Sequence, residues 1–157
     1  MEGFHFGAQP WVYPQPVLII ASYGEDGTPD AMNAAWGGVA DSSRIAMYLS
    51  GGHKTVKNIL KRGAFTVSMG DAEHAAACDY VGIESGNSVP NKVARAGFHV
   101  TKSEHVDAPV IDELPLDENG KLAVEKLHVI TFDYANHGYY VLGEKVASAF
   151  EDGKKFK

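Results

Sequence analysis

Pro16-Val17-Leu18-Ile19-Ile20-Ala21-Ser22, then Glu25-Asp26-Gly27-Thr28-Pro29-Asp30, then Ala31 to Val39: the reading of this stretch decides the fold class. The first run is short, apolar, β-branched and introduced by prolines, which predicts a buried strand. The second sets Asp-Gly between apolar runs, a strong hairpin signal. The third is then the returning strand. Its alanines and glycines make it a poor strand by propensity, yet small residues in a strand also let another backbone or a flat ligand come close.

Outward from this hairpin, a third strand is expected at Arg44 to Leu49. A helix should run from Val56 to Gly63, because Val56, Ile59 and Leu60 fall at helical spacing, Lys61 and Arg62 favour its end, and Gly63 can stop it. Ala64 to Met69 alternates as a strand, and Ala72 to Val81 is helical, with Ala75, Ala76, Cys78 and Tyr80 packing. Glu84 to Pro90 is a loop, Asn91 to Ala96 a short helix and Phe98 to Thr101 a strand. Ile111 to Leu116 is a short apolar segment before Asp117-Glu118-Asn119-Gly120, which is turn chemistry. Leu127 to Phe132 reads as a strand, and Tyr139-Tyr140-Val141-Leu142-Gly143 precedes a helix at Glu144 to Phe150. Strands with a few inserted helices, rather than a regular alternation, disfavour a parallel dinucleotide-binding sheet. They predict a mainly β, antiparallel barrel or sandwich.

The 157 residues amount to one domain, able to bury ~70% of the surface its unfolded form exposes. A formal net charge of −6 argues against a nucleic-acid partner. The basic residues Lys54, Lys57, Lys61 and Arg62 cluster in one segment, so a local anion site stays open. A single Cys78 excludes an internal disulfide and a multi-cysteine metal site, and reads as a buried, inert thiol in a reducing compartment. No run approaches the ~18 apolar residues of a membrane helix, and the start lacks a signal-peptide pattern. The expectation is a soluble cytoplasmic domain without a membrane partner.

Ser50 to Asn58 carries the most chemistry. A Gly-Gly pair turns the backbone so that successive amides point one way, and a helix then begins whose free N–H groups and dipole favour an anion. Ser50, His53, Lys54 and Thr55 add hydroxyl, imidazole and ammonium donors at that end, a combination suited to a phosphate monoester. The plainer alternative is a strand-to-helix connection capped by Thr55 with Lys54 solvated. Met32-Asn33-Ala34-Ala35-Trp36 offers an amide and exposed backbone among small residues, against which a planar ring could lie. Alternatively the alanines pack on a helix and Trp36 is core. The histidines are scattered without metal-ligand spacing, and no nucleophile turn of the Gly-x-Ser-x-Gly kind occurs. Neither a metal site nor a catalytic side chain is assigned.

These segments, with Phe65-Thr66-Val67-Ser68, Asp79-Tyr80-Val81-Gly82, Ser85-Gly86 with Lys92, Ala108-Pro109-Val110-Ile111 and Tyr139 to Glu144, occur in the order of a known family. The chain resembles the flavin reductase-like family, the FMN-binding split barrels, and in particular its flavoredoxin branch. The most specific stretches are Asp26 to Trp36 and Gly52 to Ile59. The resemblance spans nearly the whole chain. It implies a six-stranded antiparallel split β-barrel forming a homodimer, with FMN near the subunit interface. It places the phosphate by His53-Lys54-Thr55 and the flavin edge along Asn33, Ala34, Ala35 and Trp36, with Ser50, Asn58 and Lys92 as further cofactor contacts. One departure concerns the region near 112–118. Relatives carry additional strands there, so this chain either has a deletion or the sequence as read omits a segment.

The resemblance implies an FMN-binding oxidoreductase that takes electrons from NAD(P)H or a protein donor. A flavoredoxin-like carrier without NAD(P)H turnover, serving an electron-transfer protein, is the second reading. A non-catalytic cofactor-binding barrel is the third.

Overall fold

The computed structural model describes Gly3, residues 7–114 and residues 128–146. Within them lie ten short strands and three helices. β1 (Gln15–Pro16) runs straight into β2 (Leu18–Tyr23), and β2 turns back into β3 (Pro29–Ala34). Gly27 adopts φ +83° in that turn, and the Asp26 carboxylate accepts the Thr28 N–H at 3.0 Å. The Asp-Gly signal therefore marks the hairpin as expected. Leu18 faces Ala34, Ile19 faces Asn33 and Ile20 faces Met32 across it.

The returning strand is not continuous to Val39. It ends at Ala34, and β4 (Gly37–Val39) leaves to pair with β5 (Ile45–Met47). The break falls at Ala35-Trp36, where the Trp36 carbonyl accepts the Tyr48 N–H at 2.8 Å. Gly37 then lies so close to β5 that a Cβ there would sit 2.8 Å from the Ala46 carbonyl oxygen.

α1 (Lys54–Arg62) ends on Gly63, whose φ of +69° directs its N–H back to the Ile59 carbonyl. Val56 and Ile59 pack on the core, whereas Leu60, expected to join them, is exposed. β6 (Thr66–Met69) pairs with β2 on the side opposite β3. α2 (Ala75–Ile83) buries Cys78 and Val81 and leaves Ala76 outside. α3 (Lys92–Arg95), β7 (Val100–Lys102) and β8 (Pro109–Ile111) follow. β9 (Ile130–Asp133) and β10 (Gly138–Val141) form a hairpin that also holds β1. β9 starts later than the sequence pattern suggests, because His128 takes a left-handed φ of 42°.

Leu127, the last two residues of the 111–116 apolar segment, the 117–120 turn and residues 147–150 of the expected final helix lie outside the described residues. Residues 144–146, expected to begin that helix, carry no regular structure. Every described strand pairing is antiparallel.

β2 is buried on both faces, as its unbroken apolar run requires. Val17, Ile19 and Ala21 point to a cluster with Ala31, Cys78, Val81, Val93 and Ile111, while Leu18 and Ile20 point to Met32, Ala34 and the inner faces of α1 and β6. Replacing fully buried Ile19 with Ala is expected to lower unfolding free energy by about 3 kcal/mol in urea titration; a loss below about 1 kcal/mol would contradict this packing. The Cys78 thiol is buried, and burial first, with the Asp71 charge second, pushes its pKa up to about 12. It should resist a thiol-specific disulfide reagent at pH 8 in the native state and react fully in guanidinium.

Candidate functional site

The head of α1 faces the loop after α2. His53 is the N-cap residue with an extended backbone, and the first helical hydrogen bond runs from the Lys57 N–H to the His53 carbonyl. The amides of Lys54, Thr55 and Val56 thus have no partner inside the helix. Opposite them stands Glu84-Ser85-Gly86, and Asn87 ties the two walls together. Its Nδ2 donates to the Gly52 carbonyl at 3.1 Å, and its Oδ1 accepts from Lys57 Nζ at 3.0 Å. Between the walls is a hollow of about 290 Å³, lined by Ser50, His53, Lys54, Thr55, Ser85 and Lys92 among others.

Behind it, three predicted residues have interior duties. Thr55 is 1% exposed, and its hydroxyl donates to Asp30 Oδ2 at 2.5 Å, so only its backbone N–H is left for a ligand. It does not cap α1, which has no side-chain cap. Lys92, 3% exposed, donates to the carbonyls of Val81 and Glu84, both at 2.9 Å, and its Nζ stands 3.7 Å from Asp30 Oδ1. Burial pulls the Lys92 pKa down, while the Asp30 charge opposes that shift. Asn58 is buried under α1, its Nδ2 unpartnered, and lines neither this hollow nor the next. Lys54, by contrast, forms no ion pair among the described residues and borders the hollow.

A second hollow, about 450 Å³, adjoins the first and shares Ser50, His53, Gly82 and Ile83 with it. One wall is Asn33, Ala34, Ala35 and Trp36, so the structure brings the two predicted segments to adjoining hollows. Trp36 is not core: it is 43% exposed and meets Tyr134 edge-on, ring centroids 5.4 Å apart. Asp79 from α2 and Phe132 and Tyr139 from the β9–β10 hairpin complete the cleft, and sequence reasoning did not single them out as site residues. Tyr139 donates to Asp79 Oδ1 at 2.8 Å; burial first, and then that bond, push its pKa up to about 12.

The arrangement pairs an end carrying free amides, hydroxyls and the Lys54 ammonium with a wider end floored by small side chains. Among the described residues no group of three His, Cys, Asp or Glu side chains is placed to hold a metal, and no helix is long and apolar enough to cross a membrane.

The model of the flavin reductase like domain matches residues 12–141. The chain belongs to the flavin reductase-like family. Within it, the flavoredoxin of Desulfovibrio vulgaris (Miyazaki F) is 30% identical, with 97% of this chain and 100% of that one covered at a TM-score of 0.89, which places this chain on the flavoredoxin branch. A Shewanella frigidimarina protein with a split barrel domain is 12% identical, covers 85% of this chain and 84% of its own, and has a TM-score of 0.67. An FMN-binding protein from Thermus thermophilus is 15% identical over 94% of this chain and 99% of its own, TM-score 0.68. None of the curated proteins matches. The fold is an antiparallel split barrel with three described helices.

Gly86 lets the loop close on the buried charges. A Cβ at this position would lie 2.2 Å from Asp30 Oδ1 and 3.2 Å from Lys54 Cβ. Gly86→Ala should therefore cost about 2 kcal/mol of stability by chemical denaturation, and a cost under about 0.5 kcal/mol would show that the loop does not close this tightly.

Proposed function

We propose that this chain binds FMN in the two-part cleft and acts as a flavin-dependent oxidoreductase. The observation that carries the reading is the adjacency of the two hollows: the one at the head of α1 shares Ser50, His53, Gly82 and Ile83 with the one walled by the alanines that end β3. A phosphomonoester fits the free amides of Lys54, Thr55 and Val56, the Lys54 ammonium, and the hydroxyls of Ser50 and Ser85. A flat ring fits beside Ala34 and Ala35, with Trp36 at the rim and Asn33 as a polar group. The Lys92–Asp30 pair supports the phosphate end from behind rather than donating to it. When bound, the flavin supplies hydride or electron transfer, and the protein supplies orientation and electrostatics. No side-chain acid or base is required.

The electron donor is NAD(P)H or a reduced protein. The likeness to a flavoredoxin at 30% identity favours the carrier reading, in which FMN stays bound and an electron-transfer protein is the partner. We also propose a homodimer in a cytoplasmic setting. Trp36, Val39 and Tyr48 form an exposed apolar rim next to the cleft, the kind of surface a second subunit covers.

Purified protein reconstituted with FMN should show a flavin visible spectrum, and Lys54→Ala should weaken FMN binding roughly tenfold to hundredfold while leaving riboflavin affinity nearly unchanged. Equal losses for both ligands would remove the phosphate from this site. Steady-state oxidation of NADH or NADPH with excess flavin identifies a reductase; reduction by a ferredoxin-type donor without such turnover identifies a carrier.

A further inference from the structure

The Asn33 amide is held in a single orientation by groups from two other elements. Its Nδ2 donates to the Cys78 carbonyl of α2 at 3.2 Å and to the Tyr139 hydroxyl of β10, also at 3.2 Å. Turned over, the amide would set its oxygen against the Cys78 carbonyl with no proton between them. Tyr139 has one hydroxyl proton, and it goes to Asp79 Oδ1, so toward Asn33 the hydroxyl oxygen is the acceptor. The hydrogen bonds therefore run one way, from Asn33 to Tyr139 to Asp79. Both Asn33 amide protons are used, and no described donor reaches its Oδ1.

The packing allows this closeness. Gly82 carries no side chain where a Cβ would lie 2.9 Å from Asn33 Cβ. Tyr139 is steadied by Phe132, its cross-strand partner, with ring centroids 5.6 Å apart. Asn33, Asp79 and Tyr139 all border the same hollow.

We propose that Tyr139 is a positioning residue for flavin binding: by accepting one Asn33 amide proton and giving its own to Asp79, it keeps Asn33 Oδ1 presented to the cleft as a hydrogen-bond acceptor. The ligand group it serves is an N–H or O–H donor, either on the isoalloxazine ring or on the ribityl chain. This rests on the FMN reading above and adds to it a role for a residue that acts through Asn33.

The test measures flavin affinity by fluorescence quenching, with inorganic phosphate affinity read by competition at the α1 end. Tyr139→Phe removes one oxygen and should weaken FMN binding roughly fivefold, with phosphate affinity unchanged within about twofold. If lumiflavin loses the same factor, the ring supplies the donor; if lumiflavin is unaffected and riboflavin loses it, the ribityl chain does. Because Tyr139 acts through Asn33, Tyr139→Phe should have no further effect in an Asn33→Ala background. Asp79→Ala provides a second break in the same chain and should weaken FMN in the same direction. Melting curves of each variant verify folding. Unchanged FMN affinity in Tyr139→Phe, equal losses of FMN and phosphate, or additive losses in the double variant would overturn the role of Tyr139 while leaving FMN binding intact. Wild-type protein that binds no FMN would overturn the functional reading itself.

Discussion

The site depends on a pair of opposite charges withdrawn from water. Asp30 on β3 and Lys92 on α3 are each almost fully buried, with their charged atoms 3.7 Å apart. Replacing such a pair with well-packed apolar groups is often neutral, whereas breaking it leaves an uncompensated charge in the interior. Its consequence is therefore geometric more than energetic. Asp30 must receive the Thr55 hydroxyl, and Lys92 must reach the carbonyls of Val81 and Glu84. The Ser22 hydroxyl also donates to the Thr55 carbonyl, at 3.3 Å. These demands bring β2, β3, the head of α1, the end of α2 and the start of α3 to one point, and the cleft is the gap left on its outer side.

This explains which parts of the site were legible in the sequence. The anion end is local: Gly51-Gly52-His53-Lys54-Thr55 turns the chain, starts a helix and leaves its amides free whatever else the protein does. The hairpin was legible for the same reason, since Asp26-Gly27 closes it through contacts two to four residues apart. The roles of Thr55 and Lys92 were not. Thr55 looks like a capping residue or a ligand donor until Asp30, 25 residues earlier, claims its hydroxyl. A lysine at a loop's edge gives no local sign that its ammonium will be buried. Tyr139 was visible as part of a strand, but its partners Asn33 and Asp79 lie 106 and 60 residues away.

The break in the returning strand belongs to the same class. Small and apolar residues ran on from Ala31 to Val39 with no turn signal between them, so nothing local divided them. Two pairings divide them: β3 follows β2, while β4 follows β5, and the chain cannot satisfy both sheets without a kink. The kink falls at Ala35-Trp36, beside the cleft, and it turns Trp36 out of the interior to the rim. A residue that is core by type becomes a boundary residue by topology.

Charge makes a parallel point. A net charge of −6 sets an unfavourable overall field for an anionic ligand, yet fields between exposed charges decay over about 10 Å in ordinary salt. What matters is the local balance, and the basic cluster of α1 divides along the helix. Lys61 pairs with Glu25, and Arg62 with Asp107 and the Gly24 carbonyl, at the C-terminal end of α1. Lys57 is taken by Asn87. Lys54 alone of the four meets no described acceptor and stands at the head, where the dipole of α1 has the same sign. At 1.5 Å per residue, the paired cations at 61 and 62 sit roughly 10 Å further along the helix, so their pairing leaves the Lys54 ammonium at the head unpaired. A protein acidic as a whole can in this way keep an unpaired ammonium at one hollow, because Glu25 and Asp107 are bonded to cations that the hollow does not use, while Glu84, which lines it, accepts the Ser85 N–H.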